Sequence, residues 1–229
     1  SVGSKRYGSP AMRENWSDLQ AHTDARSIWV ALAKAQEKYG LVSSEECADI
    51  EAHSGPEHID INTIREKDRK IRHDTMAALK TYAEQCKVGG GKLHLGGTSM
   101  MIEDNGMIMR MERAADIIET RAVNVVDSAR PILENYADKP SVAWTHIQPA
   151  GYTTVGYRFA NYMQSLMIGM DMLAYAREFV MKGPGAKGIV GTSASFKELL
   201  GNKARPKDME DGFIHELGIG AWPVSTQVY

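Results

Sequence analysis

"MERAADIIETRAVNVVDSARPI", residues 111–132, decides the architecture. Within it Met111, Ala115, Ile118, Ala122, Val125, Ala129 and Ile132 recur in alternating steps of four and three residues. That spacing lines one face of an α-helix and matches the seam of a helical bundle. A strand would instead alternate every second residue. Pro131 lies inside the stripe and predicts a kink or a stop, because its ring displaces the preceding turn and it has no N–H to donate. A second stripe opens near Thr154 and runs to about Met181, through Phe159, Met163, Leu166, Met170 and Leu173. Two long striped helices in succession predict an all-α chain built on a bundle. The chain has 13 methionines, several of them on these stripes. Their flexible thioethers suit an irregular helix–helix core.

Upstream the elements are shorter. The stretch from Arg13 to Tyr39 carries Ile28, Leu32, Ala35 and Tyr39 at helical spacing, and Gly40 follows as a stop. Ser43 with Glu46 forms a capping-box pattern ahead of a short helix. Residues 53–60, "HSGPEHID", predict a loop, and "RHDTMAALKTYAEQC" (72–86) predicts a helix ending before the Gly89-Gly90-Gly91 run, a turn or flexible connection. Few stretches alternate like strands, and no βαβ rhythm, 20–50-residue repeat or low-complexity segment beyond the glycines is present. The expected organisation is an N-terminal helical domain over residues 1–97, followed over 98–229 by the first part of a central helical bundle.

The totals narrow the function classes. The chain has 229 residues, 43% hydrophobic and 24% charged, with a net charge of −2. This is the balance of an ordinary soluble protein and lacks the basic excess of a general nucleic-acid binder, so no nucleic-acid partner is expected. No apolar run approaches the ~18 residues of a membrane span, and "SVGSKRYGSP" at the start has no apolar signal-peptide core. Cys47 and Cys86 stand in no metal or redox spacing, and a reduced, cytoplasmic location fits them.

Four short stretches interrupt the helical pattern with polar groups: "KRYGSP" (5–10), "IRHDTM" (71–76), "KLHLGGTSMM" (92–101) and "WTHIQPAGYTTVG" (144–156). Three carry histidines, His73, His94 and His146, each expected at a helix boundary. Helix N-termini offer free N–H groups and a positive dipole end, so such boundaries suit anionic ligands. Arg6 and Arg72 add cationic forks for phosphate or carboxylate. Singly, each stretch also has a purely structural reading. A histidine, or the Thr98-Ser99 pair, can be a plain cap, and Arg72 beside Asp74 can be a surface charge pair. "GPGAKG" (183–188) fits G-x-G-x-x-G but follows a long helix rather than a strand, so it predicts a mobile loop between bundle helices, not a nucleotide fingerprint. His53 and His58 lack the carboxylates or thiols that would complete a metal site.

Taken in order, the four stretches resemble the adenylosuccinate lyase branch of the fumarase/aspartase superfamily. "RYGSP", "RHD", "HLGGTSMMIEDN" and "THIQPAGYTTVG" look like successive motifs of that branch, and "AKGIVGTSASF" (186–196) and "STQVY" (225–229) look like the pieces that follow. The resemblance runs the whole length of the chain. It implies a fumarase/aspartase-type bundle and a C–N lyase of purine biosynthesis. That reaction eliminates fumarate from adenylosuccinate, giving AMP, and from the succinyl-carboxamide ribotide SAICAR, giving AICAR, with no metal or organic cofactor. It also implies a homotetramer whose active sites are shared between subunits.

By the same resemblance His146 is the general acid, with Thr145 beside it at the substrate. Thr98 and Ser99 bind the succinyl carboxylates or adjoining atoms. Arg6 and Tyr7 meet the nucleotide end, and Arg72, His73 and Asp74 line the phosphate and ribose side, with His73 also polarising the site. His94 supports, and Gln227 contacts substrate. Two positions depart from the branch: Gly97 stands where a small or apolar residue is commoner, and Gly151 where Gln or another polar residue is usual. The family's flexible serine loop, which carries the base, is absent, as are its remaining bundle helices. The chain therefore reads as an N-terminal half, inactive by itself. An argininosuccinate- or aspartate-type lyase and a non-catalytic helical assembly module are the alternatives. "RYGSP" and "RHD" favour the purine branch over the first.

Overall fold

The computed structural model describes residues 6–227. Residues 1–5, with Lys5 of the first polar stretch and half of the segment read for a signal peptide, lie outside the described residues, as do Val228 and Tyr229 of "STQVY". The architecture is all-α, with two minor pairs of strands. The contacts divide it into two compact units, one of residues 1–111 with 181–229 and the other of residues 112–180.

The first unit begins with α1 (Pro10–Asn15), started by Ser9, whose hydroxyl accepts from the Met12 N–H at 3.2 Å. α2 (Asp18–Glu37) is capped in the same way by Ser17, so the single helix expected from Arg13 is two, broken at Trp16–Ser17. Serine at an N-cap satisfies an N–H that the helix cannot. α3 (Ser44–Ala52) starts with the expected Ser43–Glu46 box. Asp60 caps α4 (Ile61–Ile71) and His73 caps α5 (Asp74–Gln85). Ile28, Trp29, Leu32 and Ala35 of α2 are buried in one core with Ile50, Tyr82, Phe196, Leu200, Met209 and Phe213. The last four come from α8 (Ala194–Leu200) and α9 (Pro206–Leu217), so the chain after residue 180 returns to pack on α2.

That return explains why the units differ from the division expected at residues 97/98. Gly96 lies against the core, where an added Cβ would come within 2.9 Å of Phe196 and Leu199. Two other expectations also meet packing. Asp49 accepts from the N–H groups of Val88 and Gly89 at 2.7 and 2.8 Å, so the glycine run is a pinned turn. "GPGAKG" is not a loose loop: Gly183, Gly185, Ala186 and Lys187 are buried, and β3 (Lys182–Gly183) pairs in parallel with β4 (Gly220–Ala221). The Asn105 amide fixes it through the Gly185 carbonyl at 3.1 Å.

α6 (Ser99–Asn135) is divided between the units at Met111/Glu112. Pro131 does not end it, because one missing N–H and one crowded turn near the end of a 37-residue helix leave the rest of its ladder intact. In the second unit Ala115, Ala122 and Ala129 of the predicted seam are buried, whereas Ile118 and Val125 are about half exposed. A hairpin follows, β1 (Pro140–Thr145) against β2 (Gln148–Thr154), antiparallel with an irregularity at Ala143/Trp144. Thr154 then caps α7 (Val155–Tyr175), where the second stripe was expected to open. Gly156 sits so close to the end of α6 that a Cβ would lie 2.8 Å from the Tyr136 carbonyl. α7 ends in a π turn, Ala176–Val180, from which Arg177 reaches Glu112, Asp116 and Glu119 at 3.0, 2.7 and 2.9 Å. No helix among the described residues is long and apolar enough to cross a membrane.

Candidate active site

The loop joining the glycine turn to α6, residues 93–98, forms one wall of a cleft. Gly96, Gly97 and Thr98 face Lys187, Gly188, Ile189, Thr192 and Ser195 across a space of about 310 Å³. The walls are tied together: the Ser195 hydroxyl donates to the Gly96 carbonyl at 3.0 Å, and the Gln227 amide donates to the Thr98 hydroxyl oxygen. Gln227 is itself anchored by its N–H to the Ile189 carbonyl at 2.9 Å.

Two expected histidines belong to this region. His73 caps α5 by accepting at Nδ1 from the Met76 N–H at 3.4 Å, which leaves Nε2 directed at the Ser99 hydroxyl, 3.1 Å away. His94 accepts at Nδ1 from the indole N–H of Trp29 at 3.0 Å, with the two rings edge to face. Burial is the main cause that lowers the His94 pKa below the ordinary histidine value, and His73 nearby adds to it. The two hydroxyls gain a common polarity. Ser99 and Thr98 each receive an N–H donor at oxygen, so each keeps its own proton to donate to an acidic ligand.

Asp74 lines a smaller space of about 120 Å³ with His22, Trp29, Thr75, Glu103 and Arg110. There Thr75 donates to Glu103 at 2.5 Å, and burial lowers the His22 pKa. Arg72 ends α4 in the left-handed region, at φ 58°. Arg6 stacks near the Tyr7 ring at 5.8 Å. Among the described residues neither makes a hydrogen bond to the His73–Ser99 cluster, and Tyr7 is exposed.

Thr145 and His146 belong to the other unit. The structure corrects their expected setting: His146 stands at a hairpin turn, not at a helix boundary. His146 and Ile147 form the two-residue turn with φ of 49° and 63°. Both central residues of a type I′ turn need positive φ, which normally selects Asn or Gly. Among the described residues five non-glycine residues have positive φ, and Arg72, His94 and His146 are three of them. Such strain concentrates at functional sites. The His146 side chain is exposed and makes no hydrogen bond to any described residue.

The two glycine departures differ physically. Gly151 has open space where a side chain would stand, whereas a Cβ on Gly97 would lie 2.9 Å from His94 Nδ1 and 3.0 Å from the Met101 methyl. The methyl can move, but the imidazole is held by Trp29. Gly97→Ala is expected to destabilise the protein by about 1–3 kcal/mol through overpacking and to displace His94, measured by urea unfolding and by the imidazole resonances. Gly151→Gln is expected to change neither.

Sequence reasoning missed Trp29, Lys187, Thr192 and Ser195. Trp29 stands beside the Ile28–Leu32–Ala35 stripe, and nothing local in the sequence marks it out. The other three fell in stretches noted only as a glycine pattern or a trailing motif.

No protein-family model matches the chain. The adenylosuccinate lyase of Saccharomyces cerevisiae is 32% identical over 230 residues, 99% of this chain and 48% of that protein. The Schizosaccharomyces pombe adenylosuccinate lyase is 30% identical over 98% of this chain and 47% of its own length. The Pyrococcus horikoshii adenylosuccinate lyase is 28% identical over 97% and 48%. The chain thus spans about half the length of the curated relatives it matches. Among solved structures, the Pseudomonas putida 3-carboxy-cis,cis-muconate lactonizing enzyme superposes with a TM-score of 0.87 at 24% identity, over 97% of this chain and 50% of that one. A fumarate lyase from Mesorhizobium sp. BNC1 gives 0.84 at 23%, over 93% and 49%. At that identity these two speak for the fold alone. With the ordered motifs and the curated relatives in agreement, the chain belongs to the adenylosuccinate lyase family.

Proposed function

We propose that the chain supplies part of the active site of a C–N lyase that eliminates fumarate from adenylosuccinate, giving AMP, and from SAICAR, giving AICAR. The observation that carries this is the pair of hydroxyls held from one side, Thr98 by Gln227 and Ser99 by His73, beside His94. Elimination removes a proton from the carbon next to a carboxylate and leaves charge on that carboxylate. Donors fixed before the reaction stabilise such charge without reorganising. Thr98 and Ser99 take that role on the succinyl carboxylates. Arg72, His73, Asp74, Arg6 and Tyr7 serve the nucleotide, and Gln227 orients Thr98 and meets the substrate. His146, with Thr145, delivers the proton to the departing nitrogen, as a histidine can near neutral pH. The base at carbon is not assigned to any residue of this cluster.

The working form is a homotetramer in the cytoplasm, with sites that combine segments from different subunits. The support for this is apolar surface in the second unit. Trp144, Ile147, Tyr152, Tyr157, Met167, Ile168 and Met172 are all more than half exposed, and exposed apolar patches of this kind mark interfaces. Burying them gains about 25 cal/mol per Å². The test is fumarate release from adenylosuccinate by the complete gene product, with mass measured by light scattering. Turnover by a tetramer is expected. An inactive protein overturns the lyase reading, and an active monomer overturns the shared site.

A further inference from the structure

Trp29 is 1% exposed. Its indole N–H is a donor only, and when buried it needs an acceptor. That acceptor is His94 Nδ1, at 3.0 Å. A donor fixed against a ring nitrogen requires a lone pair there, so the single proton of the neutral imidazole sits on Nε2. Protonating Nδ1 would set two N–H groups head to head and leave both without acceptors, which is costly at a buried site. The surroundings hold this arrangement. His94 has φ 67°, and Gly97 has no Cβ to press on Nδ1. Among the described residues, His73 of the α5 N-terminus, like burial, disfavours the imidazolium of His94.

We propose that Trp29 is a positioning residue that holds His94 as a neutral Nε2–H donor. His94 then serves the site as a fixed hydrogen-bond donor to an anionic oxygen and does not carry protons. The same reasoning extends to His73, whose Nδ1 accepts from the Met76 N–H and whose Nε2 meets Ser99. Of the three site histidines only His146 has both ring nitrogens uncommitted to described residues. The effect on turnover rests on the lyase reading, but the tautomer does not.

The test is histidine-labelled protein in long-range 1H–15N spectra across pH, for wild type and Trp29→Phe, which keeps an aromatic ring but removes the N–H. Wild-type His94 is expected to show an unprotonated Nδ1 and a protonated Nε2, and to stay neutral at pH values near the ordinary histidine midpoint. In Trp29→Phe, both tautomers are expected and the His94 midpoint rises. An Nδ1–H tautomer in the wild type overturns the proposal even if the variant does not fold, as does a Trp29→Phe spectrum unchanged at His94. In the lyase assay, His94→Gln, which keeps a donor near the Nε2 position, is expected to retain about tenfold more kcat than His94→Ala, in line with one hydrogen bond. Equal loss in both variants overturns the donor role. A protein without lyase activity leaves the spectroscopic arm decisive.

Discussion

A His146→Asn variant of the complete gene product is expected to lose about 10²–10⁴-fold in kcat, the usual worth of an acid–base group, with stability unchanged within about 0.5 kcal/mol. Asparagine is chosen because it tolerates the left-handed backbone at φ 49°, which most side chains resist. The side chain is exposed and bonded to no described residue, so its removal leaves no buried partner unsatisfied. Large kinetic loss with intact folding separates a chemical role from a structural one. Comparable loss from His73→Ala would have a different signature, because His73 also caps α5, which alanine cannot do, and contacts Ser99. That variant should lose stability as well. Turnover within a few-fold of wild type in His146→Asn would remove His146 from the chemistry.

What the sequence made legible follows from the range of each interaction. The two long helices were readable because their stripes repeat within a turn or two, and the Ser43–Glu46 and Thr154 caps because capping is local. The hairpin carrying His146 was not. Pro140, Pro149 and Gly151 break any alternation, and His146–Ile147 is not the Asn-Gly pair that announces such a turn. The site itself is made by pairs far apart in sequence: Trp29 with His94, Gly96 with Ser195, Thr98 with Gln227. No periodicity reports a contact of that kind. The ordered motifs identified which residues to watch, and only the fold showed that they hold one another. It also turned "GPGAKG" from a presumed mobile loop into a wall of the cleft, because the groups that bury it lie on α6 and α9.

That wall is the subject of the largest stability effect expected. Lys187 Nζ lies 2.5 Å from Glu210 Oε1, with the two side chains only 8% and 4% exposed. The same oxygen accepts from the Ala186 N–H at 2.9 Å, and the ammonium also donates to the Pro184 carbonyl at 2.9 Å. Glu210 stands on α9 between Met209 and Phe213, which are fully buried, so it cannot swing away to water. Glu210→Ala would leave an ammonium and a backbone N–H in the interior without their acceptor. Breaking one side of a buried pair costs about 3–5 kcal/mol, whereas replacing both members by apolar residues of similar volume is often nearly neutral. We therefore expect Glu210→Ala to lower the unfolding free energy by about 3–5 kcal/mol in urea titrations, and Lys187→Met with Glu210→Met to recover much of it. A loss below about 1 kcal/mol would mean that the pair is open to water and solvated like a surface bridge. Because Lys187 through Ser195 line the cleft opposite Thr98, the single variant should also weaken substrate binding, raising KM more than it lowers kcat, since the hydroxyls of Thr98 and Ser99 are held from their own side by Gln227 and His73.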